Sequence, residues 1–412
     1  MEQKRVPYYL GIDLNDQYAM ISFFQLNMSE PDTVSTVAGS GIYQIPLVLA
    51  KRKGLGQWYY GEDAKRLAKT SEVICIDFLL RRASLGESIH IEDETYPAEE
   101  LLALFLKKII ALPQKLGNPV YCDRLVITVD RLSKENMELF WRIAPKIGFL
   151  KDQFMVIDHK ESFYYFALNQ KEELYLHDVY LFEYDQSGLY YYALTRDTRT
   201  TPQVVSIATS SRNVISEENQ DLDFLKVEQR AFENRIISSV YLVGDGFEGD
   251  WMKESLTYLC RGRRAFIGKN LYSKGACYAA AIRDMEDKWP YIYIGENEMK
   301  FNISIKVNNC GTMEFYNLIS AGKNWFEISG ECEVILDGKP EIDFWKQLPK
   351  SREAVIETLE LTDIPKRPNK ATRLRITAKP IADDKVEIEI KDMGFGELFR
   401  GTDKAWKYTM TM

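Results

Sequence analysis

The chain has 412 residues, 45% of them hydrophobic and 28% charged, and a formal net charge of -8. That length calls for two or three domains of ordinary globular composition, and the acidic balance offers no electrostatic footprint for nucleic acid. No apolar run reaches the ~20 residues of a membrane span, so neither nucleic acid nor membrane is an expected partner.

The opening Met1-Glu2-Gln3-Lys4-Arg5 leads straight into a strand, with no signal-peptide core before it. Six cysteines lie far apart with no C-x-x-C pair, which excludes a recognisable zinc site and suits a reducing cytoplasm. With three histidines, a His-based triad is possible but no motif supports one.

In chain order, strands are predicted through Gly11 and over Ala19–Leu26, joined by the turn Asn15-Asp16-Gln17. A strand over Tyr43–Ala50 and a turn at Lys53-Gly54-Leu55-Gly56 follow. Leu101, Leu102, Phe105 and Ile109 then recur at helical spacing behind Pro97, a good first-turn residue. A strand at Leu125–Val129 leads to Ser133, an N-cap for a helix with its apolar stripe at Met137, Phe140, Ile143 and Ile147. Tyr180–Tyr184 and Gly188–Leu194 repeat the strand–turn–strand opening about Asp185-Gln186-Ser187, which reads as an internal duplication.

After about Asp287 the period becomes two. Phe301, Ile303, Ile305 and Val307 alternate with polar residues, as do Cys332, Val334 and Leu336, then Leu374, Ile376 and Ala378, and Val386, Ile388 and Ile390. An antiparallel sheet domain with one wet face follows, with Arg373 and Arg375 expected opposite Glu387 and Glu389. Asp392-Met393-Gly394-Phe395-Gly396-Glu397 reads as a tight turn, and Trp406 as an anchor for a partner or for the domain's own edge.

Four stretches carry a family resemblance: Tyr9-Leu10-Gly11-Ile12-Asp13-Leu14, Arg124–Val129, Leu181-Phe182-Glu183-Tyr184-Asp185 and Val240–Gly246. The small-residue helix Ser273–Ala280 follows them. In this order they resemble the phosphate, connecting and adenosine motifs of the actin/Hsp70/sugar-kinase superfamily, closest to the Hsp70 nucleotide-binding domain. The resemblance covers roughly residues 8–285. It implies an α/β, two-lobed actin/Hsp70-like (ribonuclease H-like) fold followed by an antiparallel β-sandwich-like domain. The lobes would span residues 1–177 and 178–288, and the β-rich domain 289–412.

The resemblance also implies ATP and Mg as cofactors. Asp13 and Asp185 would hold waters on the magnesium ion, and Lys65 would take the place of a catalytic lysine. Gly11, Asn15, Gly188, Gly244 and Gly246 would lie against the nucleotide, glycine admitting close backbone approach. Bland readings stand beside these. Asp13 and Asp185 also suit strand-end turns, Lys65 a solvated helix, and Gly244 and Gly246 a strand-to-helix turn. Arg261, Arg263 and Arg264 suit the end of a Trp251–Cys260 helix, where cations are favoured.

The departures from the family weigh against activity. Asn15-Asp16-Gln17 replaces Gly-Thr-Thr, and Asp16 puts a like charge beside the phosphates. Ser187-Gly188-Leu189-Tyr190 replaces a run of glycines, and Asp158-His159-Lys160-Glu161 replaces an Asn-Glu-Pro-Thr turn. Only residues 195–239 stand where the family has a whole adenine-side subdomain, with one helix predicted at about Leu222–Ile237. The first expectation is a degenerate Hsp70/actin-fold platform that binds a protein partner or client, with weak or no ATP binding. The second is a slow Mg-dependent ATPase, and the last a small-molecule kinase of the same superfamily.

Overall fold

Tyr8–Leu14 (β1) and Tyr18–Gln25 (β2) pair antiparallel in the computed structural model, which describes residues 5–37, 40–402 and 404–412. The Met1–Lys4 lead-in lies outside the described residues. Every residue of β1 is buried, the pattern of a strand covered on both faces. Asp32–Thr33 (β3) and Ile45–Pro46 (β4) also pair with β2. The single strand expected over Tyr43–Ala50 is therefore broken. Leu49–Arg52 (β5) instead joins a small sheet with Trp58–Tyr60 (β6) and Val73–Ile76 (β7), flanked by Gly61–Leu67 (α1) and Leu79–Ser84 (α2).

The hairpin Ser88–Ile91 (β8) and Glu94–Pro97 (β9) leads into Ala98–Ile110 (α3), where Leu101, Leu102, Phe105 and Ile109 are buried as their spacing predicts. Pro97 occupies the cap position rather than the first turn. The chain then rejoins the first sheet. Arg124–Val129 (β10) lies parallel to β1, and Phe154–Asp158 (β11) parallel to β10. The intervening helix Lys134–Lys146 (α4) is capped by Ser133 Oγ, which accepts from the Asn136 N–H at 3.2 Å. His159–Leu168 (α5) follows β11 directly.

The pattern then recurs. Asp178–Asp185 (β12) and Gly188–Asp197 (β13) form a second antiparallel hairpin, followed by Gln203–Thr209 (β14). The helix expected over Leu222–Ile237 runs Gln220–Ala231 (α6). Ile237–Val243 (β15) lies parallel to β12, and after the short helix Glu254–Leu259 (α7), Arg264–Ile267 (β16) lies parallel to β15. Leu271–Arg283 (α8) closes the repeat. The two sheets share one connectivity, β2-β1-β10-β11 and β13-β12-β15-β16. Each has a helix between its last two strands and another after them.

Those final helices, α5 and α8, cross at Gly275, where a Cβ would stand 2.1 Å from the Ser162 carbonyl oxygen. Gly11 does the same for α8 on β1: a Cβ there would meet Ser273 O at 2.3 Å and Cys277 N at 2.5 Å. Small residues thus let one helix press against both a strand and a second helix. Ser22 Oγ bonds both Thr33 Oγ1 and Ser273 Oγ at 2.8 Å, so these three hydroxyls beside α8 satisfy one another.

The chain divides into two compact units. One holds the described residues up to Thr195 with Ile207–Trp289, the other Arg196–Ser206 with Pro290–Met412. In the second unit Tyr291–Tyr293 (β17) runs parallel to Gln203–Val205. The segment Arg196–Ser206 thus groups with strands far along the sequence.

The rest of this unit is all-β. One sheet has the order β19-β18-β21-β22, from Asn302–Asn309 (β18), Thr312–Ile319 (β19), Glu341–Gln347 (β21) and Val355–Glu360 (β22). The other contains Gly330–Ile335 (β20), Arg373–Ala382 (β23), Lys385–Phe395 (β24), Phe399–Arg400 (β25) and Ala405–Thr411 (β26). Ile303, Ile305, Phe344, Ile376, Ile388 and Met410 share one core between them.

The expected charge partners differ. Arg375 meets Glu333 at 2.8 Å and Arg373 meets it at 3.3 Å, while Glu389 is held by Lys391 and Lys407. In the β23–β24 register Arg375 faces Lys391, which moves the arginines to β20 for their partners. Trp406 Nε1 donates to Thr362 O at 3.0 Å, so it fastens the domain's own edge. No helix among the described residues is long and apolar enough to cross a membrane.

Candidate functional site

In the first unit the carboxyl ends of β1, β10, β11, β12 and β15 carry Asp13, Asp130, Asp158, Glu183 with Asp185, and Asp245. Asp13 is 0% exposed. His159, the first residue of α5, donates from Nε2 to Asp13 Oδ1 at 2.8 Å. The α5 cap places it: Asp158 accepts the Glu161 N–H at 2.8 Å and fixes the direction in which the helix leaves β11. Burial works to lower the His159 pKa, but the Asp13 charge, its hydrogen bond and Glu183 raise it to about 9. The carboxylates around the ring thus favour its protonated form, against the effect of burial.

The His159 ring stacks on Tyr272 of α8, centroids 3.9 Å apart and planes 6° from parallel. Tyr272 Oη donates to Glu183 Oε1 at 3.1 Å, and Tyr192 Oη to Glu183 Oε2 at 2.9 Å. The contacts thus run from β1 through α5 and α8 to β12 and β13, joining both sheets. Burial pushes the Glu183 carboxyl up, against the pull of His159 and Tyr192. Burial, then Asp13, holds the Tyr18 phenol far above its usual range, with Glu183 and Asp245 adding to the effect. Three buried polar atoms around this centre, Asp13 Oδ2, Thr128 Oγ1 and His159 Nδ1, have no hydrogen-bond partner among the described residues.

The residues singled out from the sequence are distributed unevenly. Asp185 is exposed, and its Oδ1 accepts from Ser187 N at 2.7 Å and Ser187 Oγ at 2.6 Å, closing its own turn. Asn15 Oδ1 is likewise committed to Gln17 N at 2.8 Å and Tyr18 N at 2.9 Å. Asp16 Oδ1 accepts from Arg81 N at 2.7 Å. Lys65 stands exposed on α1, and no hydrogen bond or ion pair joins it to Asp13 or Asp185 among the described residues.

The glycines are covered by protein. Gly11 lies under α8, and Arg212 crosses Gly188, its Nε 2.6 Å from where a Cβ would be. Gly244 adopts φ +102 with a would-be Cβ 2.3 Å from Tyr184 O, a place only glycine fits. At Gly246 the Tyr184 ring comes within 2.5 Å of the Cβ position, and Trp251 Nε1 donates to the Gly246 carbonyl at 3.1 Å.

Sequence reasoning named Asp13 but missed His159, Tyr272, Glu183 and Tyr192 as its companions. His159 had been noted only within the stretch Asp158-His159-Lys160-Glu161. Among the described residues no group of three or more His, Cys, Asp or Glu side chains is arranged to hold a metal ion.

Residues 30–296 match the model of the C-terminal part of a family of unknown function, DUF5716. That span is more than half of the chain. The chain belongs to this DUF5716 family. The family match takes in β3 to α8, which includes His159, Glu183 and Tyr272. Residues 298–412, nearly the whole all-β region, match a separate domain of unknown function, DUF8552. No curated protein matches the chain.

Proposed function

We propose that the chain is a degenerate actin/Hsp70-like scaffold, its nucleotide cleft closed from within, and that it works by binding another protein. The two-lobed reading is supported by the shared connectivity of the two sheets and by the crossing of α5 and α8, one from each repeat. One observation carries the functional reading. Asp13, the acid that would hold waters on magnesium, is fully buried and already hydrogen-bonded to His159.

ATP and magnesium do not fit the residues present. The cation position beside Asp13 is taken, and Glu183, Asp130, Asp185 and Asp245 bring like charge to the place of the phosphates. The glycines that would admit a nucleotide backbone-first are packed against Arg212, Tyr184 and α8. Retained fold with lost chemistry is an ordinary outcome, because function resides in sites rather than folds. All six cysteines are free, which suits the cytoplasm as the working compartment.

Calorimetric titration of the full chain with ATP and magnesium tests the closed cleft. No heat at millimolar nucleotide is the expected result. Micromolar binding that Asp13→Ala removes would show an open nucleotide pocket and overturn the closed cleft, and turnover measured on the same samples would then decide the slow-ATPase reading.

A further inference from the structure

The two outer faces of the β-rich unit differ in kind. On the β20–β23–β24–β26 side, several outward charges meet in ion pairs, Arg375 to Glu333 at 2.8 Å and Lys391 to Glu389 at 2.9 Å. On the β19–β18–β21–β22 side, the outward positions of the edge strand β19 are Met313 and Phe315, 54% and 56% exposed. Phe315 meets Trp345 of β21 edge-on, ring centroids 5.1 Å apart. Ile356 of β22, directly opposite Trp345, is 48% exposed.

An apolar band thus crosses the sheet from one edge strand to the other. Strand alternation leaves these side chains no core of their own to enter, and contiguous exposed apolar surface of this kind marks interaction sites.

The charges beside the band name the partner. Glu341 and Glu360 are direct cross-strand neighbours on the same outward face, an arrangement that costs stability. Asp343, the next outward residue on β21, adds a third acid. Against them stand Lys306, across from Phe315 on β18, and Lys339, which reaches Glu341 only at 3.9 Å. Glu360 has no ion pair among the described residues.

We infer that this face docks a protein segment in which basic and apolar side chains alternate. Its apolar residues lie on Phe315, Trp345 and Ile356, and its lysines or arginines neutralise Glu341, Asp343 and Glu360. The inference rests on the protein-binding reading above, and it gives that reading a surface and a partner chemistry. A second copy of this acidic chain is disfavoured as occupant by its net charge of -8.

The test uses the full chain and a short fluorescent peptide alternating lysine with leucine, with a glutamate-for-lysine counterpart as control. Fluorescence anisotropy should show binding of the lysine peptide alone. Phe315→Ser with Trp345→Ser should weaken it about tenfold or more. Glu341→Lys with Glu360→Lys, a surface change that leaves the core untouched, should transfer the preference to the glutamate peptide.

Equal binding across wild type and both variants overturns the proposal. So does capture of the wild type by phosphatidylcholine vesicles that the serine variant escapes, which would point to a lipid surface. A dimer seen in sedimentation equilibrium and dissociated by the serine variant would assign the face to a second copy. An ATP titration of the same samples separates the two readings: heat there sinks the closed cleft whatever the peptides do, while flat anisotropy without heat sinks only this surface.

Discussion

His159 Nε2 lies 2.8 Å from Asp13 Oδ1, and this single contact joins the first strand of the chain to the start of α5 with both side chains buried. Removing one member of such a pair leaves a charge stranded without water, which costs far more than the pair itself contributes. His159→Ala is therefore expected to lower unfolding stability by roughly 3 kcal/mol in urea titrations. Asp13→Asn in the same background should recover part of that loss, because the orphaned charge disappears. An unchanged midpoint for His159→Ala would show that the pair is not formed in solution.

Gly11 supplies a second prediction. A methyl group there collides with backbone atoms of α8, which cannot move aside as a flexible side chain would. Gly11→Ala should cost about 3 kcal/mol. Gly41→Ala, with nothing within 4 Å of its Cβ position, should stay within about 0.5 kcal/mol of wild type. Similar thermal midpoints for the two variants would refute the close packing of α8 on β1.

Glu228 of α6 is 0% exposed, and neither carboxyl oxygen has a hydrogen-bond partner among the described residues. Burial raises its pKa to about 9, although Arg263 pulls the other way. The folded chain therefore keeps a proton that the unfolded chain releases at the ordinary glutamate value of about 4.3. The stability linked to this proton is fully present below about pH 4.3 and is lost as pH rises toward 9. Glu228→Gln abolishes the loss. Its advantage over wild type should grow with pH and reach on the order of 4 kcal/mol near pH 7.5. Parallel stability–pH curves for the two proteins would mean that Glu228 is solvated.

The β-rich unit has its own buried pair. Arg367 grips Asp392 through two bonds, of 2.6 and 2.7 Å, while Asp392 also accepts from Gly394 N and from Thr402 N and Oγ1. Burial works to raise the Asp392 pKa, but this set of donors holds it far below the usual carboxylate range. Arg367→Met should cost roughly 3 kcal/mol, and Arg367→Lys should restore only part of it, since a point charge cannot reproduce the two-pronged fork. Full rescue by lysine in denaturant titrations would contradict that geometry.

Much of the architecture was legible before any coordinates. The hairpins at Asn15–Gln17 and Asp185–Ser187, the α3 and α4 stripes, the Ser133 cap and the switch to alternation after residue 287 are local patterns. Local patterns follow from side-chain period and turn chemistry, so they survive without a tertiary context. Boundaries moved where a long-range partner intervened, as when Leu49–Arg52 left the β2 neighbourhood to pair with β6 and β7.

The site was legible only in part. Asp13 was named from the resemblance of its strand–turn stretch, and the structure places it at the buried end of β1. His159 lies 146 residues away from Asp13, and no spacing rule links them. Tyr272, Glu183 and Tyr192 reach the same centre from other elements and carry no pattern of their own.

Composition, period and turn residues by themselves determined that this chain is a mixed α/β protein with an all-β region at its end, and where most elements begin. Only the tertiary structure decided what each polar residue does. It buried Asp13 against a histidine, spent Asp185 and Asn15 on their own turns, and sent Arg373 and Arg375 to Glu333 rather than to β24. The physical reason is that a strand or helix forms from neighbours in sequence, whereas burial and charge pairing depend on which surfaces meet after the elements have folded together.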